Sequence, residues 1–301
     1  MSRGLIAILI TMIALNSVAF SATGPKPGPS ALPSSAKALR VMTFNIMCDF
    51  CSKGRDNGTF VERLKAVADT INRHDPDLIS LQELRTGGQV ERLLTLLHDQ
   101  YTPLFAEGYA LSYADPTLLV RTRRFDVVAK EGFWLGPRTP DFGLGWKTSF
   151  PRRIEYVTLK DKDAGGEIIF AGTHFDNNPR NREPSAELLI RKFAESETPF
   201  IFAGDTNLRP DRAGYAALAK GFRDSYTEVL HHPYISNGAT VSSDGCNLEK
   251  APDFPACRVD HIFLSRKNPW KTQRWMLDAF RYPGMKGFIS DHRAVIVELS
   301  R

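Results

Sequence analysis

The sequence predicts an α/β fold. Short β-favouring apolar runs alternate along the chain with segments of helical apolar spacing, and six of the strand edges end in polar side chains. The stretch Phe200-Ile201-Phe202-Ala203-Gly204-Asp205-Thr206-Asn207 shows the pattern in miniature. Phe200 to Ala203 reads as a buried strand, Gly204 ends the run, and Asp205 and Asn207 stand two residues apart. In extended backbone they would point the same way. A carboxylate beside an amide at a strand tip suits a metal-assisted phosphate site; Gly, Asp, Asn and Pro equally make a capping turn. The remaining tips decide between the two.

In chain order, Leu39 to Ile46 is a strand whose polar end is Asn45, followed by a loop rich in Asp, Asn and Gly. Phe60 to Asn72 is a helix with Val61, Leu64, Val67, Ala68 and Ile71 on one face, closed by His74-Asp75-Pro76. Asp77 to Leu84 is a second strand that carries Glu83 near its end, where a charge must be paired or bind a metal. Gln89 to Leu97 is helical, and Leu118–Val120 and Phe125–Val128 are strand-like. Gly132 to Trp146 reads as an aromatic, Gly/Pro-rich loop, a substrate rim or a packed surface loop. Arg153–Lys160 and Glu167–His174 form a hairpin pair, with His174 at its end. A helix over Pro184 to Ala194 leads into the Phe200 strand. Ala213 to Ala219 is a short helix, Arg258 to Ser265 a strand holding Asp260, and Lys271 to Leu277 another. Asp291-His292 precede the last strand, Ala294 to Leu299.

The N-terminus has a different character. Arg3 followed by the uncharged run Leu5–Leu15 and the small residues Ser17, Ala19 and Ser21 reads as a secretory leader over residues 1–21. An uncleaved anchor is the alternative. Residues 22–38 form a Pro/Ser-rich linker, and residues 39–301 the remaining, catalytic domain. The formal charge of +5 falls to 36 basic against 34 acidic side chains after residue 38. That balance is no nucleic-acid footprint. The cluster Arg121-Thr122-Arg123-Arg124 reads as a solvated loop.

Four cysteines in an exported chain favour disulfides. Cys246–Cys257 is the preferred pair and Cys48–Cys51 a tight local bridge. Geometry must decide among three connectivities, and a structural zinc site built from all four is the alternative.

The polar edges are Asn45, Glu83, His174, Asp205 with Asn207, Asp260, and Asp291 with His292. They supply carboxylates, amides and imidazoles and contain no Ser or Cys nucleophile motif. Oxygen-rich donors favour Mg²⁺, with Mn²⁺ as a substitute, over zinc. Such a set fits hydrolysis of a phosphate ester by water.

In order and wording, Thr43-Phe44-Asn45, Leu81-Gln82-Glu83, Gly172-Thr173-His174, Gly204-Asp205-Thr206-Asn207, Val259-Asp260-His261-Ile262 and Ser290-Asp291-His292 resemble the endonuclease/exonuclease/phosphatase superfamily, the DNase I-like fold. Phe133-Trp134-Leu135, Trp146, Pro151-Arg152 and Thr173-His174-Phe175-Asp176 resemble its bacterial branch related to deadenylase-like proteins. The resemblance implies a four-layer α/β sandwich, with two mixed sheets face to face and helices outside. It implies Glu83 as the principal Mg²⁺ ligand, with Asn45 near the metal and Asp291 in its shell. His292 resembles the catalytic histidine, with Asp260 fixing its tautomer. Asp205 would orient or deprotonate water, and either Asp205 or His292 would be the base. Asn207 and His174 would hold phosphoryl oxygens, and Arg152, Asn177, Arg182 and Trp146 would contact substrate. Thr206 and Asn177 depart from the family's usual residues.

These readings make the chain a secreted or periplasmic, monomeric phosphodiesterase. Its substrate would be nucleic acid, a nucleotide or a lipid head group. Sphingomyelinase-like or phosphomonoester hydrolysis is the alternative, and a catalytically silent binding module on the same fold is the reading of another class.

Overall fold

The computed structural model describes residues 38–52, 57–107, 113–147, 150–232, 234–235, 242–243, 246–247 and 258–301. The described elements are β1 (Leu39–Asn45), α1 (Phe60–His74), β2 (Leu78–Gln82), α2 (Gly87–Leu94), β3 (Tyr101–Ala106), β4 (Tyr113–Arg121), β5 (Phe125–Trp134), β6 (Arg153–Asp161), β7 (Glu167–His174), α3 (Pro179–Phe193), β8 (Phe200–Asp205), α4 (Ala213–Gly221), β9 (Phe222–Asp224), β10 (Tyr234–Ile235), β11 (Ser242–Ser243), β12 (Cys246–Asn247), β13 (Asp260–Ser265), β14 (Lys271–Asp278) and β15 (Val295–Ser300).

The strands build two mixed sheets. The first runs β10-β14-β15-β1-β2-β4-β3, the second β5-β6-β7-β8-β13-β9, and β11 and β12 pair separately. Three apolar clusters fill the layers. One lies between the sheets, where Val41, Leu78, Leu118 and Val297 of the first meet Val157, Phe170, Ile201 and Ile262 of the second. A second packs the outer face of the first sheet, with Met42, Phe44, Ile79 and Leu119, against Leu64, Val67 and Ile71 of α1 and Val90 and Leu93 of α2. The third packs Tyr156, Ala171, Phe202 and Phe263 against Ala186, Leu189 and Phe193 of α3 and Leu218 of α4. Each large apolar side chain fully buried in these layers contributes about 1.5–3 kcal/mol relative to exposure. The result is the expected four-layer α/β sandwich.

Gly172 sets how closely the sheets approach. A Cβ there would lie 2.4 Å from Ser80 Oγ and 2.5 Å from Leu118 Cδ2 on the opposite sheet. Gly204 is not the strand terminator that the sequence suggests. It lies inside β8, and a Cβ would come within 2.4 Å of the Thr173 carbonyl on β7.

Register explains why the polar tips meet. β1 and β2 are parallel with Asn45 opposite Gln82, and β7 and β8 are parallel with His174 opposite Asp205. The antiparallel neighbours bring their N-terminal ends to the same edge, with Asp260 opposite Asp205, Val295 opposite Thr43 and Thr117 opposite Leu81. One end of the sandwich therefore collects all of these residues.

Several boundaries differ from expectation. α1 starts with a capping box in which Thr59 and Glu62 exchange side-chain-to-backbone bonds, and it ends before Asp75 in left-handed conformation. Its inner face carries Arg63, whereas Val61 is exposed. α3 begins five residues before the expected start, because Asn178 caps it and Pro179 sits in its first turn, leaving Pro184 inside the helix. Gly132 to Trp134 extend β5 and pair with β6 instead of opening a loop. β3 and β9 lack the alternation that would have announced them.

Candidate active site

Asp205 is the centre. Its side chain is 1% exposed, yet two imidazoles approach its Oδ2: His174 Nε2 at 3.4 Å and His292 Nε2 at 3.7 Å. Each ring is anchored through the other nitrogen. His292 Nδ1 lies 2.8 Å from Asp260 Oδ2, and His174 Nδ1 lies 3.0 Å from Asp115 Oδ2. An ionised carboxylate only accepts, so both Nδ1–H groups donate and both Nε2 atoms are left toward Asp205. Asp205 itself accepts from Asn45 Nδ2 at 3.1 Å and from the Asn207 backbone N–H at 2.9 Å.

Burial opposes charge on the His292 ring, but Asp260, Asp205 and Asp291 outweigh it and hold its pKa well above 6.5. Burial likewise opposes ionisation of Asp205, and His292, His174, Asn45 and the Asn207 N–H outweigh it, so its pKa is lowered. Asp115 follows the same logic. Burial raises its pKa, and His174 and Arg152 more than reverse the effect.

Glu83 forms the other half of the site. Its Oε1 accepts from Asn45 Nδ2 at 3.0 Å and its Oε2 from the Cys48 N–H at 2.6 Å. Asn45 thus bridges Glu83 and Asp205. Asp291 precedes His292 and acts electrostatically on both His292 and Arg63. Beneath these acids lies Arg63, 1% exposed. Its guanidinium donates to the carbonyls of Ile46, Met47 and Cys48 on one loop and of Ile289 on another. It ties the β1 end to the segment that carries His292.

Backbone strain concentrates here. Among the described residues four non-glycine residues have positive φ, and three belong to this edge: Met47 at 58°, Glu83 at 70° and Asn207 at 51°. Asn207 therefore does not share its direction with Asp205 through extended backbone, as the spacing suggested. A turn brings them together, and Asn207 Nδ2 donates to the Phe175 carbonyl.

The anticipated substrate contacts are less uniform. Arg152 donates to Asp115 at 3.0 Å and so supports the His174 partner. Arg182 donates to the carbonyls of Asp176 and Asn177 and braces the loop after β7. Asn177 is exposed and Trp146 half-buried. The loop from Leu135 to Arg152 is held at Lys147, whose backbone bonds Asn178 and Asn181. Phe142, Leu144 and Phe150 from that loop and Phe50 from the β1 loop are exposed.

Cys48 and Cys51 form the disulfide. The preferred pair, Cys246 and Cys257, lies outside the described residues, since Cys257 and the side chain of Cys246 are not described.

Sequence reading missed Asp115 and Arg63. Asp115 precedes the strand-like run Leu118–Val120, and only the antiparallel pairing of β4 with β2 carries it to the site. Arg63 sits among apolar helix positions, and that placement was its only signal.

The donors fit a divalent cation. Glu83, Asp291 and Asp205 offer hard carboxylate oxygens, with the Asn45 amide between Glu83 and Asp205. Asp205, Asp260 and His292 also place ligand atoms within 4.8 Å of one another. There His292 hydrogen-bonds Asp260 through Nδ1, and its Nε2 stands at ion-pair distance from Asp205. Among the described residues no helix is long and apolar enough to cross a membrane.

Residues 42–292 match the profile of the Endonuclease/Exonuclease/phosphatase family. No curated protein matches the chain. Among solved structures, a family protein from Bacteroides thetaiotaomicron is 28% identical with a TM-score of 0.69, covering 87% of this chain and 97% of that one. A mannosyl-6-phosphatase from the same organism is 26% identical with a TM-score of 0.71, covering 87% and 100%. The human Nocturnin catalytic domain, at 20% identity and a TM-score of 0.62 over 87% and 94%, shares the fold. Their shared architecture, and the profile match spanning Met42 to His292, place the chain in the endonuclease/exonuclease/phosphatase family of metal-dependent phosphoester hydrolases.

Proposed function

We propose that the chain is an exported, Mg²⁺-dependent phosphoesterase that attacks small phosphodiesters with water, with residues 1–21 as its leader, 22–38 as a linker and 39–301 as the catalytic domain. The observation that carries the reading is the convergence of His174 Nε2 and His292 Nε2 on Asp205 Oδ2. Glu83, Asn45 and Asp291 would hold the cation, with Mn²⁺ as a substitute. When bound, it neutralises charge on the phosphoryl oxygens and polarises the P–O bond.

The chain's own residues do the rest. Asp205, kept ionised, orients the attacking water and takes its proton. His292, kept charged by Asp260 and Asp205, donates to a phosphoryl oxygen as negative charge grows there. This assigns the base to Asp205 and the donor to His292. His174 protonates or hydrogen-bonds the leaving oxygen, held in its tautomer by Asp115. Asn207 adds a neutral contact to the phosphate. The exposed Phe50, Phe142, Leu144 and Phe150 offer apolar surface to the organic groups of a diester. The near balance of charge after residue 38 does not favour a long polyanion.

A phosphomonoesterase is the second reading, favoured by the likeness to a mannosyl-6-phosphatase. A panel with Mg²⁺ separates them: bis-p-nitrophenyl phosphate, p-nitrophenyl phosphate, mannose 6-phosphate, sphingomyelin, RNA and plasmid DNA. Fastest turnover of the small diester supports the proposal; preference for a monoester supports the second reading. Excess EDTA should abolish turnover in either case, and full activity in EDTA would overturn both.

A further inference from the structure

The disulfide adjoins the cation half of the site. The sulfurs of Cys48 and Cys51 and a carboxylate oxygen of Glu83 all lie within 4.8 Å of one another. The Cys51 N–H donates to the Cys48 carbonyl at 3.2 Å, so one turn presents both sulfurs together. The Cys48 N–H already holds Glu83 Oε2. Cys48 is buried, while Cys51 reaches solvent and is open to a reductant. Arg63 bonds the Cys48 carbonyl, and the Arg85 guanidinium lies 4.7 Å from the Phe50 ring inside the same loop.

We propose that reduction of Cys48–Cys51 creates a second, thiolate-rich metal site, formed by Cys48, Cys51 and Glu83, that takes Zn²⁺ and withdraws Glu83 from the oxygen site. The withdrawal rests on the proposed role of Glu83; the zinc site itself does not. The Cys-x-x-Cys spacing is that of half a zinc centre, and a carboxylate with one water completes a tetrahedron. Thiolates discriminate strongly for Zn²⁺ over Mg²⁺. The chemistry balances. A dithiol gives two electrons and two protons, the S–S bond breaks, and the dithiol becomes a disulfide. Binding of Zn²⁺ then releases the two thiol protons to solvent. The oxidised loop supports Glu83 through a backbone N–H, and the reduced, zinc-loaded loop takes the same carboxylate as a ligand.

The test is metal titration of the full chain, oxidised or reduced with a phosphine that is then removed anaerobically. It is run in a Cys246→Ser/Cys257→Ser background and, as a second arm, on the unsubstituted chain against Cys51→Ser. Zn²⁺ should bind more tightly after reduction, and Co²⁺ should give a thiolate-to-metal charge-transfer band only in the reduced chain. Cys51→Ser should lose the band. Glu83→Gln should keep it but weaken affinity by more than the roughly 10- to 100-fold that loss of an outer-shell partner costs. Equal zinc binding by the oxidised chain, or no band after reduction, overturns the proposal. In the activity arm, zinc should silence Mg²⁺-dependent turnover of the reduced chain only. If zinc binds as expected and turnover persists, the zinc site stands, and the assignment of Glu83 to the Mg²⁺ site is what fails.

Discussion

The two imidazole arms of the site look equivalent and are not. Both rings donate through Nδ1 to a carboxylate and turn Nε2 toward the same Asp205 oxygen. On one arm, Asp115 shares its charge with a half-buried arginine, since Arg152 and His174 both bond its Oδ2. On the other, three acids act on His292: Asp260, Asp205 and Asp291. The same ring geometry is therefore set in two different fields. The acid-rich arm favours a charged His292, and the other arm ties its carboxylate to Arg152. Two roles follow from one motif, and the second neighbour of the carboxylate separates them.

Asp205→Asn breaks both arms at once and should give the largest loss, near the roughly 10⁴-fold upper end for acid–base groups. His292→Ala should cost about 10³-fold in kcat and His174→Ala about 10²-fold, both within the range for one such group. Equal losses on the best small diester would erase the asymmetry. Asp260→Asn removes a carboxylate that raises the His292 pKa, so the alkaline limb of the pH–rate profile should move to lower pH. Arg152→Gln should change kcat only a few-fold, on the scale of about 1 kcal/mol or less. A loss as large as that of His174→Ala would remove the distinction between the arms.

A separate effect, outside the two arms, concerns stability. His261, beside Asp260 in β13, bonds the Leu208 carbonyl, and burial with the nearby Arg258 lowers its pKa to about 4. The unfolded chain, with its pKa near 6.5, then binds the extra proton between those values. Stability should be full above pH 6.5 and fall toward pH 4, by at most about 3 kcal/mol from this group. His261→Asn should flatten that part of the melting-temperature profile. An unchanged slope would show that other groups set it.

Local pattern made much of this site legible. Asn45, Glu83, His174, Asp205, Asp260 and His292 each follow or open an apolar run, and strand ends are where a sheet displays side chains. Asp115 was invisible because its position depends on which strand lies beside which, and strand pairing leaves no mark in local periodicity. Arg63 was hidden for the opposite reason. The helical pattern around it was read correctly as amphipathic, but its buried edge was rotated toward Val61. A guanidinium with four carbonyl acceptors can occupy a core position that an apolar residue was expected to fill. The Pro179 start of α3 was displaced because Pro184 looked like the better opening.

The placement of β1 has a consequence in time. It lies between β2, made soon after it, and β15, made far later. Asn45 waits for Ser290, whose hydroxyl donates to its carbonyl, and Arg63 waits for the Ile289 carbonyl. While the chain emerges from the ribosome, Glu83, His174 and Asp205 are all present long before His292. A growing chain thus holds three of the converging polar residues before the segment around His292 can join them, and the site is assembled only when that segment has docked beside β1.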